Sequence, residues 1–465
     1  MTPKLSKREY LAGVLALVQG SPHPLDSEAD SRSDSTGSIG EIYAEPDAQR
    51  LREKHPRPGD FDVGLTDRDG ILLGANGEWT GVSDGDVKSL TESDVVNSAL
   101  HAPYTAQSDN LVVPVASGLS PSDAIDPTKS KRPVQQAMNM VHEQGGGRVM
   151  LPPTKIREKG PIYAKSGCGI IGLGAETSKI RITNTETDGV VFDAERNGSD
   201  HVRQFEMDGF ALNGPAGKKS TGVAIHHVNG DTERLTVGHL VLWGWNNSVY
   251  RVERNVGPFE TFHQMLTVYG SDAGNHGALF EFNSYYGPAQ YFATIAAYPK
   301  ASTSGRNSTV IRTRGGTQVF ENLNLGGSSG QILRQERDGK PIINTCNWEP
   351  TRLVATPPAL MRLEGEMPVS IGQVRQVDTE TSFNTPEYVY EVAYDVWNGH
   401  RPGRKMMGPY LGQEPPNENI VKLTSPNQPL KPSFYWGPAK DIDVVHSGTN
   451  TSGLRALGSA GTGVG

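Results

Sequence analysis

Residues 133–174 read PVQQAMNMVHEQGGGRVMLPPTKIREKGPIYAKSGCGIIGLG. Val134, Ala137, Met138 and Val141 fall at i, i+3, i+4 and i+7, which is one face of a short helix. Pro133 suits its first turn, and Gly145, Gly146 and Gly147 end it. A strand over 148–151 follows, then a Pro-Pro corner, a second strand around 161–164 and a third in CGIIGLG. A helix with one apolar face, set before strands broken by Gly and Pro, closes the end of a stacked sheet. Left open, that end would pair with other chains.

From about residue 147 a repeat takes over. Eight segments share a small or polar residue, two or three apolar residues, then a polar or charged one. They are GVVFDAER (189–196), GVAIHHVN (222–229), NSVYRVER (247–254), GALFEFNS (277–284), STVIRTRG (308–315), GQILRQER (330–337), PALMRLEG (358–365) and EYVYEVAY (387–394). Their starts lie about 22 to 33 residues apart, a length that suits one coil of a three-faced β-helix. Between them runs a second series: GFALNG (209–214), HLVLWG (239–244), MLTVYG (265–270), TIAAY (294–298) and ENLNLGG (321–327). A sandwich would space its strands at roughly 8–12 residues without the long unit. A propeller needs four strands in each blade of roughly 40–45 residues. Neither fits.

The run GGG-x-V-x-LPP, then PI, then GIIGLG, preceded by the helix, is similar to the opening of the pectate-lyase-like right-handed parallel β-helix domain. That domain occurs in secreted polysaccharide-active enzymes and in the tail spikes of viruses. The chain departs from the pattern at Asp126-Pro127-Thr128, where Asp-Asp-Thr is usual, and at Thr154-Lys155, where Gly usually follows Pro-Pro. The expected fold is all-β: a right-handed parallel β-helix with a short capping helix and a small amino-terminal attachment module.

Composition agrees with a solenoid, with 54 glycines, 32 prolines and a hydrophobic fraction of 35% over 465 residues. The net charge of −8 is mild for this length and gives no pointer to nucleic acid or to an anionic membrane surface. No apolar run approaches the roughly 18 residues that span a bilayer. Cys168 and Cys346 are expected about six coils apart, at ~4.8 Å per coil, and so beyond disulfide reach.

Five regions are expected: a helix or anchor over 1–20, a Ser/Asp-rich flexible linker over 21–59, a β-rich module over 60–126, the β-helix over 127–395, and an irregular cap with a Gly-rich tail over 396–465. Leu11, Val14, Leu15 and Val18 suit a short docking helix, while Ser6-Lys7-Arg8-Glu9-Tyr10-Leu11 also resembles a twin-arginine export signal with one Arg replaced. DVGLTDRDGILLG (62–74) reads as a hairpin.

Aligned, the repeats place Asp193, His226, Arg251, Glu281, Arg312, Arg334, Arg362 and Glu391 in one column. Two residues on, and so on the same face, come Glu195, Val228, Glu253, Asn283, Arg314, Glu336, Glu364 and Ala393. This face is expected to meet solvent. It reads either as an exposed sheet laced with ion pairs or as a polar groove for an extended charged glycan. Glu253 and Glu281 could stand at the separation of about 5–9.5 Å that glycoside hydrolysis needs. Trp243, Trp245, Tyr269, Tyr285 and Tyr286 gather at corners, where flat rings suit sugars or fill a seam, and Arg251 and Arg312 are the cations expected beside a glycan. No compact acidic cluster for calcium appears, and His226 and His227 point to opposite faces of a strand; no metal and no cofactor is expected.

The resemblance and the order of parts imply a virion tail-spike or fibre protein. It would attach through residues 1–126 to other virion proteins and meet a cell-surface polysaccharide or glycoprotein through the β-helix. Spikes of the resembling family imply a homotrimer, with Phe434, Tyr435 and Trp436 in its seam. The rivals are a secreted polysaccharide lyase or glycoside hydrolase, which would make residues 1–20 an export signal, and a purely structural virion component. Scaffold alone does not choose among them.

Overall fold

A computed structural model describes residues 42–45, 48–57, 63–66, 70–75, 78–81, 111–120, 123–215, 221–273, 277–285, 289–298, 309–326, 331–349, 359–377, 386–393, 402–411, 420–424, 433–436, 442–445 and 454–456. The expectations for residues 1–20, and for Tyr286, lie outside them. The chain divides into two compact units, residues 1–107 and 108–465.

The first unit holds a four-stranded sheet, Ile42–Glu45, Val63–Thr66, Gly70–Ala75 and Glu78–Gly81. The expected hairpin is present, with Val63–Thr66 antiparallel to Gly70–Ala75. Ile42–Glu45, expected in the linker, pairs in parallel with Val63–Thr66. The helix Ala48–Lys54 follows, where the sequence allows a short helix over 46–54, and buries Leu51. Residues 108–126, expected in the amino-terminal module, belong to the second unit. There Val113–Val115 pairs antiparallel to Gly147–Met150.

The second unit is a parallel β-solenoid. Strands from all eight apolar repeats, from Val190–Asp193 through Tyr388–Ala393, stack in parallel in one 11-stranded sheet. The second series lies in a 17-stranded sheet that includes Phe210–Asn213, Thr236–Trp243, Thr261–Tyr269, Gln290–Tyr298 and Thr317–Gly326. A small three-stranded sheet, His201–Arg203, Asp231–Glu233 and Pro258–Phe259, joins the two in the early coils. Alternation along each strand turns one set of side chains inward. Ile225, Tyr250, Phe280, Ile311, Leu333, Met361 and Tyr390 form one such inner column, each fully buried. Burying a side chain of this size contributes about 1.5–3 kcal/mol. His227, on the face opposite His226, is in the core and stacks on Phe192 with ring centroids 4.5 Å apart. Cys168 and Cys346 are free and buried.

Pairing does not stop near Tyr394. Lys405–Met407, Ser433–Tyr435 and Leu454–Ala456 extend the long sheet, and Val421–Thr424 and Ile442–Val445 extend the other. The described strands of the stretch expected to form an irregular cap thus continue both sheets. Tyr435, expected in an intersubunit seam, is 1% exposed and in the core. Lys405 is fully buried, and its Nζ donates to Gln335 Oε1 (2.8 Å) and to the carbonyls of Gly365 (2.8 Å) and Met367 (2.9 Å).

The capping helix spans Pro133–Glu143 and buries Val134, Ala137, Met138 and Val141 completely. No side chain preceding the helix caps its first turn. The Val134 N–H instead donates to Glu158 Oε2 at 2.9 Å, from the strand Lys155–Glu158 one coil on. Burial pushes the Glu158 carboxyl up to about 7, against the pull of that N–H and of Arg132. A raised folded value means that the native state holds this proton more tightly than the unfolded chain. The contribution is complete below about pH 4.5 and is lost as pH rises through about 7. Glu158→Gln keeps an acceptor without the charge. Its unfolding free energy should therefore escape a loss of about 3 kcal/mol that the parent shows between pH 4.5 and 8. Urea midpoints of both proteins at the two pH values check this; parallel pH dependences would count against it.

Candidate functional site

The polar column on the 11-stranded sheet has the expected register from His226 onward. His226, Arg251, Glu281, Arg312, Arg334, Arg362 and Glu391 are successive partners. Asp193 leaves it: a bulge after Phe192 sets Asp193 opposite Asn229, and Val191 takes the place beside His226. Depth also differs from expectation. Glu281 is 3% exposed and Glu336 is 8% exposed, because arginine side chains lie over them.

Charge on this face is spent internally. Arg251 Nε stands 2.9 Å from Glu253 and 3.6 Å from Glu281. Arg314 reaches Glu281 (3.6 Å) and Glu336 (2.7 Å), while Arg312 and Arg334 also reach Glu336 (3.0 and 2.7 Å). Arg362 bridges Glu364 and Glu391. Arg312, although directly opposite Glu281 in the sheet, turns to Glu336. At the amino-terminal end His226 stands between two carboxyls, with Nδ1 2.7 Å from Asp188 and Nε2 3.0 Å from Glu253. Burial opposes its charge, but the bonds to Asp188 and Glu253 outweigh burial and raise its pKa.

This arrangement bears on the candidate acid pair. The His226 hydrogen bond, against burial, holds the Glu253 carboxyl below its usual range, helped by Arg251. Glu281 is closed in between Arg251 and Arg314. Glu281 is thus shut off from solvent, while the Glu253 side chain stays 31% exposed. Among the described residues no group of His, Cys, Asp and Glu is placed to hold a metal ion, and no helix is long and apolar enough to cross a membrane.

The aromatic candidates separate. Trp245 is fully buried, with its indole N–H donating to the Leu212 carbonyl at 3.0 Å, so it belongs to the core and not to a sugar surface. Tyr285 is half-buried beneath the Arg254 guanidinium, 4.1 Å from its ring centroid. Trp243 and Tyr269 are 57% and 38% exposed. They lie on the long sheet, and so do not converge with Arg251, Arg312, Glu253 or Glu281, which belong to the other sheet or its edge.

On the long sheet Arg157, Arg181, Asn213, Trp243, Tyr269 and Tyr298 occupy one outward column across six coils. At about 4.8 Å per step this row is roughly 24 Å long. Tyr298, 40% exposed, stacks on Tyr269 with ring centroids 5.3 Å apart and planes 12° apart, and Trp243 stands 6.0 Å from Tyr269. Two residues back along each strand run Lys155, Lys179, Ala211, Val241, Thr267 and Ala296. Small side chains there leave a trough beside the rings. At its amino-terminal end lies a cleft of about 720 Å³, lined by Lys155, Lys179, Arg181, Asn213, Trp243 and Asn246 among others. A hollow of about 440 Å³ continues it past Lys155, Arg157, Arg181 and Thr183.

Tyr298 and the four cations were not singled out in the sequence. The signal was there, in KIRE (155–158) and KIRI (179–182), twin strands 24 residues apart with cations at the same two positions.

No family model matches the chain, and no curated protein matches it. The resemblance to pectate-lyase-like domains therefore rests on residues 133–174 and on the solenoid itself. Among solved structures the chain is similar to ORF18 of Geobacillus virus E2. The TM-score is 0.34 and the identity 12%, with 88% of this chain and 74% of that chain covered, a likeness too slight to carry function.

Proposed function

We propose that the chain is a virion fibre or tail-spike component that holds an extended host-surface glycan along the aromatic row of its long sheet. The observation that carries this is the exposed row Trp243, Tyr269 and Tyr298 beside a trough and a 720 Å³ cleft. Sugar rings present CH groups to an open π surface such as that of Trp243, and the stacked Tyr269 and Tyr298 continue the row at a spacing the sheet fixes. An amino-terminal unit distinct from the solenoid suits a division between attachment and display. In this reading residues 1–126 meet other virion proteins.

Assembly as a homotrimer fits the same role, since repeated weak sites raise avidity. A second outward column of the long sheet, Phe262, Tyr291, Val319, Ile342, Ser370, Met406 and Phe434, is largely apolar and offers a seam parallel to the solenoid. Trp436, 51% exposed, extends the apolar surface beyond Phe434.

Trp243→Ala should weaken binding to host cells or their purified surface polysaccharide by about tenfold or more, the effect expected of a lost aromatic anchor. Its melting temperature should stay within a few degrees of the parent's, because the ring is exposed. Unchanged adsorption by the variant would sink the reading.

A further inference from the structure

We propose that the glycan is anionic, and that its carboxylate, sulfate or phosphate groups are held by Lys155, Arg157, Lys179 and Arg181. This rests on the reading of the aromatic row as a sugar-binding surface. The strands Lys155–Glu158 and Lys179–Ile182 pair in register, with Lys179 opposite Lys155 and Arg181 opposite Arg157. Four cations thus share an outward patch on adjacent coils. Like charges set directly opposite in a sheet disfavour folding. An anion bound between them would reverse the sign of that interaction.

The contrast with the other sheet is the strongest argument. There, Arg251, Arg312, Arg314, Arg334 and Arg362 are each met by glutamate carboxylates. In the cationic patch Lys179 lies 3.7 Å from the exposed Glu176, while Lys155, Arg157 and Arg181 make no ion pair with any described residue. In a chain of net charge −8, cations left unneutralised beside a cleft mark where negative charge is accepted. Arg157 and Arg181 present planar forks that match carboxylate, sulfate and phosphate geometry. Lys155 lines both the cleft that Trp243 walls and the hollow beyond it, so the cations and the indole address one continuous space.

Placement also argues for a sugar chain over a nucleic acid. Across the two columns the cations cluster at the amino-terminal end, with Arg375 standing alone at the other. Beyond Tyr298 the column continues with Gly326 and the exposed carboxylate of Glu349. A nucleic acid would set a phosphate at every step, including there. A glycan with intermittent acidic groups would set rings on Trp243 and Tyr269 and its anions on the patch.

The test uses the full chain against immobilised hyaluronan, chondroitin sulfate, a glycerol-phosphate teichoic acid, neutral dextran and single-stranded oligodeoxythymidylate, all at 0.15 M salt. The expected result is retention by at least one acidic glycan, weakened tenfold or more both by Arg157→Glu/Arg181→Glu and by Trp243→Ala, with dextran unaffected by the charge reversal. Which probe is retained distinguishes carboxylate, sulfate and phosphate. Binding to dextran alone, lost in Trp243→Ala but untouched by the charge reversal, would overturn the anionic inference and leave the sugar surface standing. Binding to no sugar chain overturns both. Tighter binding to the oligonucleotide than to any sugar makes the surface a nucleic-acid groove and overturns both as well. Should the Glu variant misfold, Arg157→Gln/Arg181→Gln removes the charges without reversing them and must still weaken the acidic probe.

Discussion

Replacing Glu336 with alanine should lower the unfolding free energy by about 3–5 kcal/mol, the range for breaking a buried ion pair from one side. Glu336 is 8% exposed and is the centre of the ladder on the 11-stranded sheet. Both its oxygens accept from Arg312, at 3.0 and 3.2 Å, and it also accepts from Arg314 Nε at 2.7 Å. Arg334 Nε stands 2.7 Å away. Truncation leaves three guanidinium groups facing one another, with only the more distant Glu281 (3.6 Å from Arg314) and Glu364 (3.6 Å from Arg334) beside them. Burial pushes the Glu336 carboxyl up, but the charges of Arg312, Arg334 and Arg314 together hold it below its usual value. A depressed folded value means that the stabilisation is present above the unfolded pKa and is lost as pH falls through the folded one. The gap between parent and variant should therefore be widest near pH 7 and narrow in acid. Urea unfolding at the two pH values measures it. A loss under about 1 kcal/mol at pH 7 would place these pairs with ordinary solvent-screened bridges.

The second large effect is expected at the solenoid's amino-terminal end. Met138 and Val141 are both fully buried on the helix Pro133–Glu143, against the first coil. Changing both to aspartate removes two apolar side chains from the core and puts two carboxyls in their place. Each unpartnered buried polar group costs several kcal/mol, so the double variant should fail to fold or should melt far below the parent. Circular dichroism on heating decides it. A parent-like melt would mean that the helix is not the plug of the first coil.

That plug was legible in the sequence because its signal is local: an apolar stripe, a proline before it and glycines after it. The register of the repeat was legible for a similar reason, since stacked coils must each place a small group of apolar residues inward at the same point. What failed was information carried by neighbours. The bulge after Phe192 moved Asp193 out of the column, and nothing in VVFDAER announces it. Polar alternation identifies the outward face of a strand but not its depth. Glu281 therefore read as exposed, although arginine stems from its own sheet cover it. Trp243 and Trp245 have the same parity and read as one surface pair. The turn at Gly244, with φ of +72°, breaks the alternation and sends Trp245 inward. The late coils were missed because their strands are short and lie between proline-rich stretches, where the apolar beat is weakest.

Lys405 has a bearing on how the molecule meets mechanical load. In a stack where each coil touches only its neighbours, tension applied at the carboxy-terminal end peels coils away one after another, at nearly constant force. Lys405 departs from that pattern, because its ammonium reaches a side chain 70 residues back, at Gln335, as well as the Gly365 and Met367 carbonyls. Pulling its coil loose requires three hydrogen bonds to a charged donor to break together in a dry interior, where water cannot replace them gradually. Coils beyond residue 405 would yield first under such a pull, and the tearing would arrest at this ammonium, sparing the coils that carry Trp243 and Tyr269.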